Sequence, residues 1–441
     1  MLRPCVNILF LLFIVFTNTV IGEDDEVLQN WPSWRGPLGN GSAPKAIPPT
    51  EWSEIKNVKW KTEIPGLGHS TPVVWQNQIF LTTSLPFGAE LPPVPQTAPG
   101  AHDNLDVTQR HKYIVLAVNR SSGEIQWQTT VKEALPHEGG HYTGSLASAS
   151  PVTDGKHVYA FFGSQGLYCL DFEGKVVWSK SLGKMQSKHA HGEGSSPVLH
   201  GKTIVVNWDH EGQSFVTALD TETGKERWRA LRDEVTSWAS PTIAVHKGQA
   251  QVIVSGTKRI RAYNLTDGEI LWECGGLSAN VVASPVHDNG IVVAASSYEK
   301  QAMFAIRLDG AKGNITDSEN VLWDRLTRTP YVPSPLLYNG TVYFLRHYQG
   351  ILSKVDLNTG EEPSGPFRLG PISNLYASPI GADNKIYFTD LRGSTLVLTH
   401  EDNPVVISFN RLNDSFAASP IAVNNQLILR GHRYLYCIEE N

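Results

Sequence analysis

One mark constrains this chain more than any other. A hydroxyl residue followed by proline recurs at Pro72, Pro151, Pro197, Pro241, Pro285, Pro335, Pro379 and Pro420, and after the second occurrence the interval stays between 41 and 50 residues. In phase with it runs a second mark: an acidic or amide residue, a Gly turn, then an aromatic. The clearest copies are Asp220 to Trp228 and Asn264 to Trp272, with Asn119 to Trp127 and Asp171 to Trp178 as variants. Later copies decay. Trp323 follows a longer turn, and Phe367 and Phe409 stand where tryptophan stood. A sustained period of this length is repeat architecture, so it overrides any domain count taken from chain length.

Each unit reads as four short strands. In one copy these begin at Pro197-Val-Leu, Thr203 to Trp208, Phe215 to Asp220 and Glu226 to Arg229, with Thr223-Gly224 turning the last pair. β-rich runs bounded by turn residues, four per repeat, describe a propeller blade. The phase also gives the closure. Trp60 precedes Pro72 by the spacing that places a fourth-strand aromatic before the next Pro elsewhere, and the chain ends where a last fourth strand is due. The expectation is therefore all-β: an eight-bladed propeller of four-stranded antiparallel blades, its last blade completed by the N-terminal strand near Val58 to Thr62, which leaves no open sheet edge.

The ends divide the remainder. Arg3, the apolar run Ile8 to Phe16 and the acidic start at Glu23 follow the order of a secretory signal peptide over residues 1–22. Residues 23–50 form an N-terminal extension, and 51–441 the propeller domain. The expected setting is exported, periplasmic or extracellular, with no transmembrane span in the mature chain. Beyond the leader, Cys169, Cys274 and Cys437 are an odd and scattered set, which is no disulfide framework. A formal charge of −6 gives no pull toward nucleic acid. The chain is expected to be monomeric.

The repeat Ala218 to Trp228, of the form Ala-x-Asp-x-x-Thr-Gly-Lys-x-x-Trp, resembles the tryptophan-docking repeat of the PQQ-repeat propellers, both quinoprotein-like and BamB-like. Trp31 to Pro37, Gly192 to Pro197 and Asp209 to Gly212 resemble segments of a bacterial group of PQQ-binding-like propellers. The resemblance implies the fold. Enzymes of that kind carry adjacent cysteines at the quinone, a Trp beneath it and a calcium, and this sequence has no Cys-Cys pair. The missing pair favours a binding scaffold over an enzyme, with no cofactor preferred. The alternative is a PQQ- or metal-dependent oxidoreductase using PQQ with calcium.

Strand alternation puts the loops between the fourth and first strands, and between the second and third, on one face of the propeller. That face is the expected working face, since a concave channel mouth is the default ligand site. Three enlarged loops there carry His102, His111, His137, His141, His189 and His191, and His69 precedes the first Thr-Pro. Asp209, His210 and Glu211 follow in a neighbouring loop. On an extended strand His189, His191 and Glu193 would point one way, a possible metal set. No compact motif accompanies them, so a metal-free polar rim is the preferred reading. Lys258, Arg259, Arg346, Arg392, Arg430 and Arg433 sit in or beside second-to-third-strand loops. Trp238, Asn280, Tyr331, Tyr376 and Phe416 come shortly before successive prolines. An aromatic mouth with an arginine rim predicts a protein partner or an anionic glycan or peptide as ligand.

Overall fold

The computed structural model describes residues 23–440, and the expected signal peptide lies outside them. Eight antiparallel sheets follow one another along the chain, each with four core strands. The blade read above forms strands Val198–His200, Thr203–Trp208, Ser214–Asp220 and Glu226–Arg232. The first strand of every blade lies innermost. The closure is as the phase predicted: Val58–Glu63 pairs antiparallel with Tyr434–Ile438, so the eighth sheet joins the two ends of the described chain.

The two sequence marks have separate physical roles. The tryptophans join neighbouring blades at their outer side. The Trp178 indole donates to Thr221 O at 2.8 Å, and a Cβ at Gly224 would lie 2.6 Å from its ring, so only glycine lets the indole seat on this turn. The same contact recurs for Trp60 on Gly123, Trp127 on Gly174, Trp228 on Gly268 and Trp323 on Gly360. Trp60 belongs to the N-terminal strand, so one segment completes blade eight and docks on blade one. Trp272 departs from the pattern. It donates instead to Gln251 Oε1, and the lengthened turn of blade five lays Gly313–Asn314 beside it as a fifth strand of blade four.

The hydroxyl before each proline does something the period alone did not reveal. The backbone N–H of Thr71 donates to Ser150 Oγ, Ser150 to Ser196, Ser196 to Ser240, Ser240 to Ser284, Ser284 to Ser334, Ser334 to Ser378, Ser378 to Ser419, and Ser419 back to Thr71 Oγ1. Eight hydrogen bonds of 2.8–3.1 Å thus run round the channel and return to their start. Each satisfies a donor that the innermost strand could not otherwise pair in the interior.

The extension is no loose appendage. Trp31 pairs with Val74, Pro32 O accepts from Thr153 N, Asn40 O accepts from Leu337 N, and Ala43 and Gly41 exchange bonds with Gly381. This segment therefore crosses the channel from blades one and two to blades six and seven. Arg35 anchors it, donating to Pro335 O, Pro379 O and Asn40 O in full burial. Burial without an anionic partner pulls its guanidinium down to about 9. Among the described residues no helix is long and apolar enough to cross a membrane.

Candidate functional site

With one end of the channel crossed by residues 31–43, the other end opens as a blind funnel of about 570 Å³. Trp34 forms part of its floor and donates to Ser419 of the serine ring at 3.4 Å. Above that ring the walls carry Asn280, Trp238, Tyr142, Tyr298, Tyr331, Tyr348 and Tyr376. Two tyrosine pairs are stacked, Tyr298 on Tyr331 at 5.5 Å and Tyr348 on Tyr376 at 5.9 Å between centroids. The residues just before each proline reach the funnel because the fourth-to-first-strand loop drops there into the channel. Phe416 is the exception: it is fully buried against Tyr436.

The histidines gather at the mouth. The rings of His102, His189 and His191 lie 4.8–5.4 Å apart, and His141 lies 4.8 Å from His191. Their nitrogens are partly spoken for by main chain: His102 faces Gly100 O, His189 faces Pro99 O and His191 faces His102 O. Burial and its histidine neighbours lower His191 to about 4. His69 lines the same funnel and stacks on His432, and burial takes it down to about 3. His111 is not in a loop. It pairs within the strand Arg110–Asn119 and contacts Ser84.

Several expected site residues are placed elsewhere. The alternation of His189, His191 and Glu193 fails because residues 188–190 form a short 3₁₀ turn, with His189 at φ 58°. Glu193 turns away into a side cavity and accepts from Ser164 N and Oγ. Among the described residues no three His, Cys, Asp or Glu side chains are arranged to hold a metal ion. Asp209 is buried in a bidentate pair with Arg232, at 2.7 and 3.1 Å, and accepts from Ser237 Oγ. His210 is buried and receives Gln186 N and Gly212 N, while Glu211 caps Thr236. These three brace their loop.

The arginine rim is also corrected. Arg430 points inward between blades eight and one, where it donates to Ser70 and to Thr82 O and is 2 % exposed. Arg346 and Arg392 occupy the expected loops and Arg259 opens the strand Arg259–Asn264, yet no lysine or arginine is among the residues lining the funnel. Its charged groups are Asp103 and Glu193. A second cavity of about 590 Å³ lies on the opposite face, between residues 36–40 and the hairpin turns of blades two to five.

The family model described as outer membrane protein assembly factor BamB matches residues 110–365, more than half of the sequence. The chain belongs to the BamB family of PQQ-repeat propellers. It is 21 % identical over 327 residues to the BamB protein of Yersinia pestis, covering 72 % of this chain and 67 % of that one. Over 232 residues it is 28 % identical to the Bordetella pertussis protein, covering 50 % of this chain and 55 % of the relative. Among solved structures, BamB from Moraxella catarrhalis aligns with TM-score 0.52 at 16 % identity, over 81 % of this chain and 99 % of that chain. A europium-containing methanol dehydrogenase aligns with TM-score 0.62 at 9 % identity, over 94 % and 91 %. These last two likenesses show the fold alone.

The quinoprotein branch of the fold raises PQQ, a tricarboxylate quinone, and the funnel does not suit it. Guanidinium or ammonium partners hold an anion of that charge most strongly, and none is among the residues lining the funnel. The described cysteines are buried separately inside three different blades, so no vicinal pair covers the funnel. Trp34 does lie at its base, but it is supplied by the crossing segment rather than by a blade.

Proposed function

We propose that this BamB-family propeller is an exported, envelope-located binding scaffold that engages its ligand or partner in the blind funnel. The observation that carries this reading is the convergence of Trp34, Trp238, Asn280, Tyr331 and Tyr376, from separate blades and the crossing segment, on one concave space. Convergent aromatic and amide groups in a pocket are the usual anatomy of a binding site. The relatives are named outer membrane protein assembly factors, which supports an envelope setting and a role among other proteins. The likeness to a methanol dehydrogenase keeps quinone-dependent oxidation as the second reading, but the lining described above counts against it.

The test is a titration series. Peptides, glycans and small metabolites are screened on the full chain, and each binder is then titrated into Trp238→Ala and Tyr331→Ala. Loss of binding in both, with the unfolding midpoint kept, is expected. Binders that ignore both changes would place the site outside the funnel and end this reading.

A further inference from the structure

The funnel has a side chamber that the reading above does not use. Between blades two and three, Trp238, Glu193, Ser145 and Ser148 line both the funnel and a more enclosed cavity behind it. Tyr113, Phe161, Phe162 and Met185 give the cavity an apolar side. Its free room is about 50 Å³, enough for the centres of only a few water-sized atoms.

In this cavity two side chains keep acceptor capacity that no protein donor fills. Asn207 lines it and is 1 % exposed. Its amide nitrogen donates to Ser237 Oγ and Ala239 O, which fixes the orientation and leaves Oδ1 buried with no partner. The Glu193 carboxyl has only Ser164 as donor, so acceptor capacity remains on it. Among nearby donors, His137 Nε2 is committed to Met185 O and Ser187 Oγ to Glu138. Asp209 is matched by Arg232. Two residues of the chamber lining, Glu193 and Asn207, therefore keep spare acceptors, and a buried unmatched acceptor is costly unless something fills the place. No lysine or arginine lines either space. The Arg35 and Arg430 guanidiniums lie in the protein around the funnel, but each is held by main-chain carbonyls and neither lines it.

We propose that the side chamber seats a primary ammonium group on Glu193 and Asn207, with the attached alkyl chain running past Trp238 into the funnel. An ammonium brings three donors and no acceptor, which matches the deficit. A cation is also attracted to the face of an indole. The small volume selects a linear primary amine over a planar guanidinium or a quaternary head. That chemistry belongs both to a lysine side chain of a protein partner and to a free linear polyamine. The inference rests on the funnel being the binding site and narrows what it binds.

The experiment is calorimetry on the full chain at pH 8 and low salt. The probes are cadaverine, spermidine, a hexalysine peptide, the same peptide acetylated on every side chain, and a sulfated dextran. Binding of the amines, with the acetylated peptide and the dextran at least tenfold weaker, is the expected result. Stronger binding of the peptide points to a lysine-bearing partner, and stronger binding of the diamine or triamine to a free polyamine. Glu193→Gln should weaken the amines at least tenfold, while Glu299→Gln, at an exposed carboxylate outside both cavities, should leave them unchanged. Should Glu193→Gln fail to fold, Asn207→Ser serves in its place with the same expectation. Amine binding indifferent to acetylation or to both cavity variants overturns the inference, as does the absence of any amine binding. If another ligand then binds and is lost in Trp238→Ala, the funnel reading stands without the amine. If nothing that binds depends on Trp238 or Tyr331, the funnel reading itself falls.

Discussion

Ser240→Ala removes one link of the serine ring, and its cost follows from the bonds around it. Ser240 Oγ accepts Ser196 N–H at 2.8 Å, and both residues are buried. Alanine leaves that N–H without its acceptor, while the bond from Ser240 N to Ser284 Oγ is untouched. A stranded buried donor costs about 1–3 kcal/mol. Ser196 and Ser240 also border the funnel, so water can replace part of the lost bond, which places the expected loss at about 1–2 kcal/mol. Ser240→Thr keeps the hydroxyl, as Thr71 does in blade one, and should lose less. The assay is equilibrium unfolding in urea followed by tryptophan fluorescence, with unchanged m-values as the check that only stability moved. Ser150→Ala and Ser334→Ala, in blades far apart round the ring, should add when combined. An alanine at 240 as stable as the wild type, or no worse than threonine, would show that the ring hydroxyls are not satisfying needed donors.

Three further outcomes are expected. Gly224→Ala forces a Cβ against the Trp178 ring at φ +65° and should destabilise by about 1–3 kcal/mol in thermal or urea unfolding, whereas Gly201→Ala, also at positive φ but with open space around it, should cost less. Deleting residues 51–62 removes the strand that pairs with Tyr434–Ile438 and exposes a sheet edge, so size-exclusion chromatography should show aggregation; an unchanged monomer with the same Tm would refute the closure. Burial raises the Glu193 carboxyl to about 7, with Ser164, His137, Glu138 and Tyr113 facing it. A carboxyl whose folded pKa exceeds its unfolded value contributes stability that is complete below about 4.5 and lost as pH rises through about 7. The Glu193→Gln variant should therefore lose less stability than the wild type between pH 5 and pH 8, and an identical pH profile would contradict the assignment.

Much of the fold was legible because it is periodic. The spacing of the prolines and aromatics set the blade count, and the phase of Trp60 against Pro72 announced the closure. The ring chemistry was equally present, as eight hydroxyls before eight prolines, but a period can be counted without asking what each residue accepts. The crossing segment was hidden for another reason: Asn40 and Ala43 bond to Leu337 and Gly381, hundreds of residues away, and no local pattern encodes that pairing. The site was half legible. Residues such as Trp238 and Tyr331 reach the funnel because their position in the repeat dictates it. Arg430 shares such a regular position, yet its side chain turns inward to carbonyls of blade one, which depends on the neighbouring blade rather than on its own sequence. His189 and Glu193 part company because a 3₁₀ turn replaces the extended run that alternation assumes.

The central claim is that ligand enters the funnel rather than the comparably large cavity on the other face. Hydrogen exchange of the full chain with and without saturating spermidine or hexalysine tests it most directly. Protection is predicted in residues 140–148, 190–194 and 236–240, which line the funnel and its side chamber. Protection confined to residues 36–40, 198–201 and 287–290, around the opposite cavity, would contradict the account, while no protection anywhere would overturn the amine inference alone.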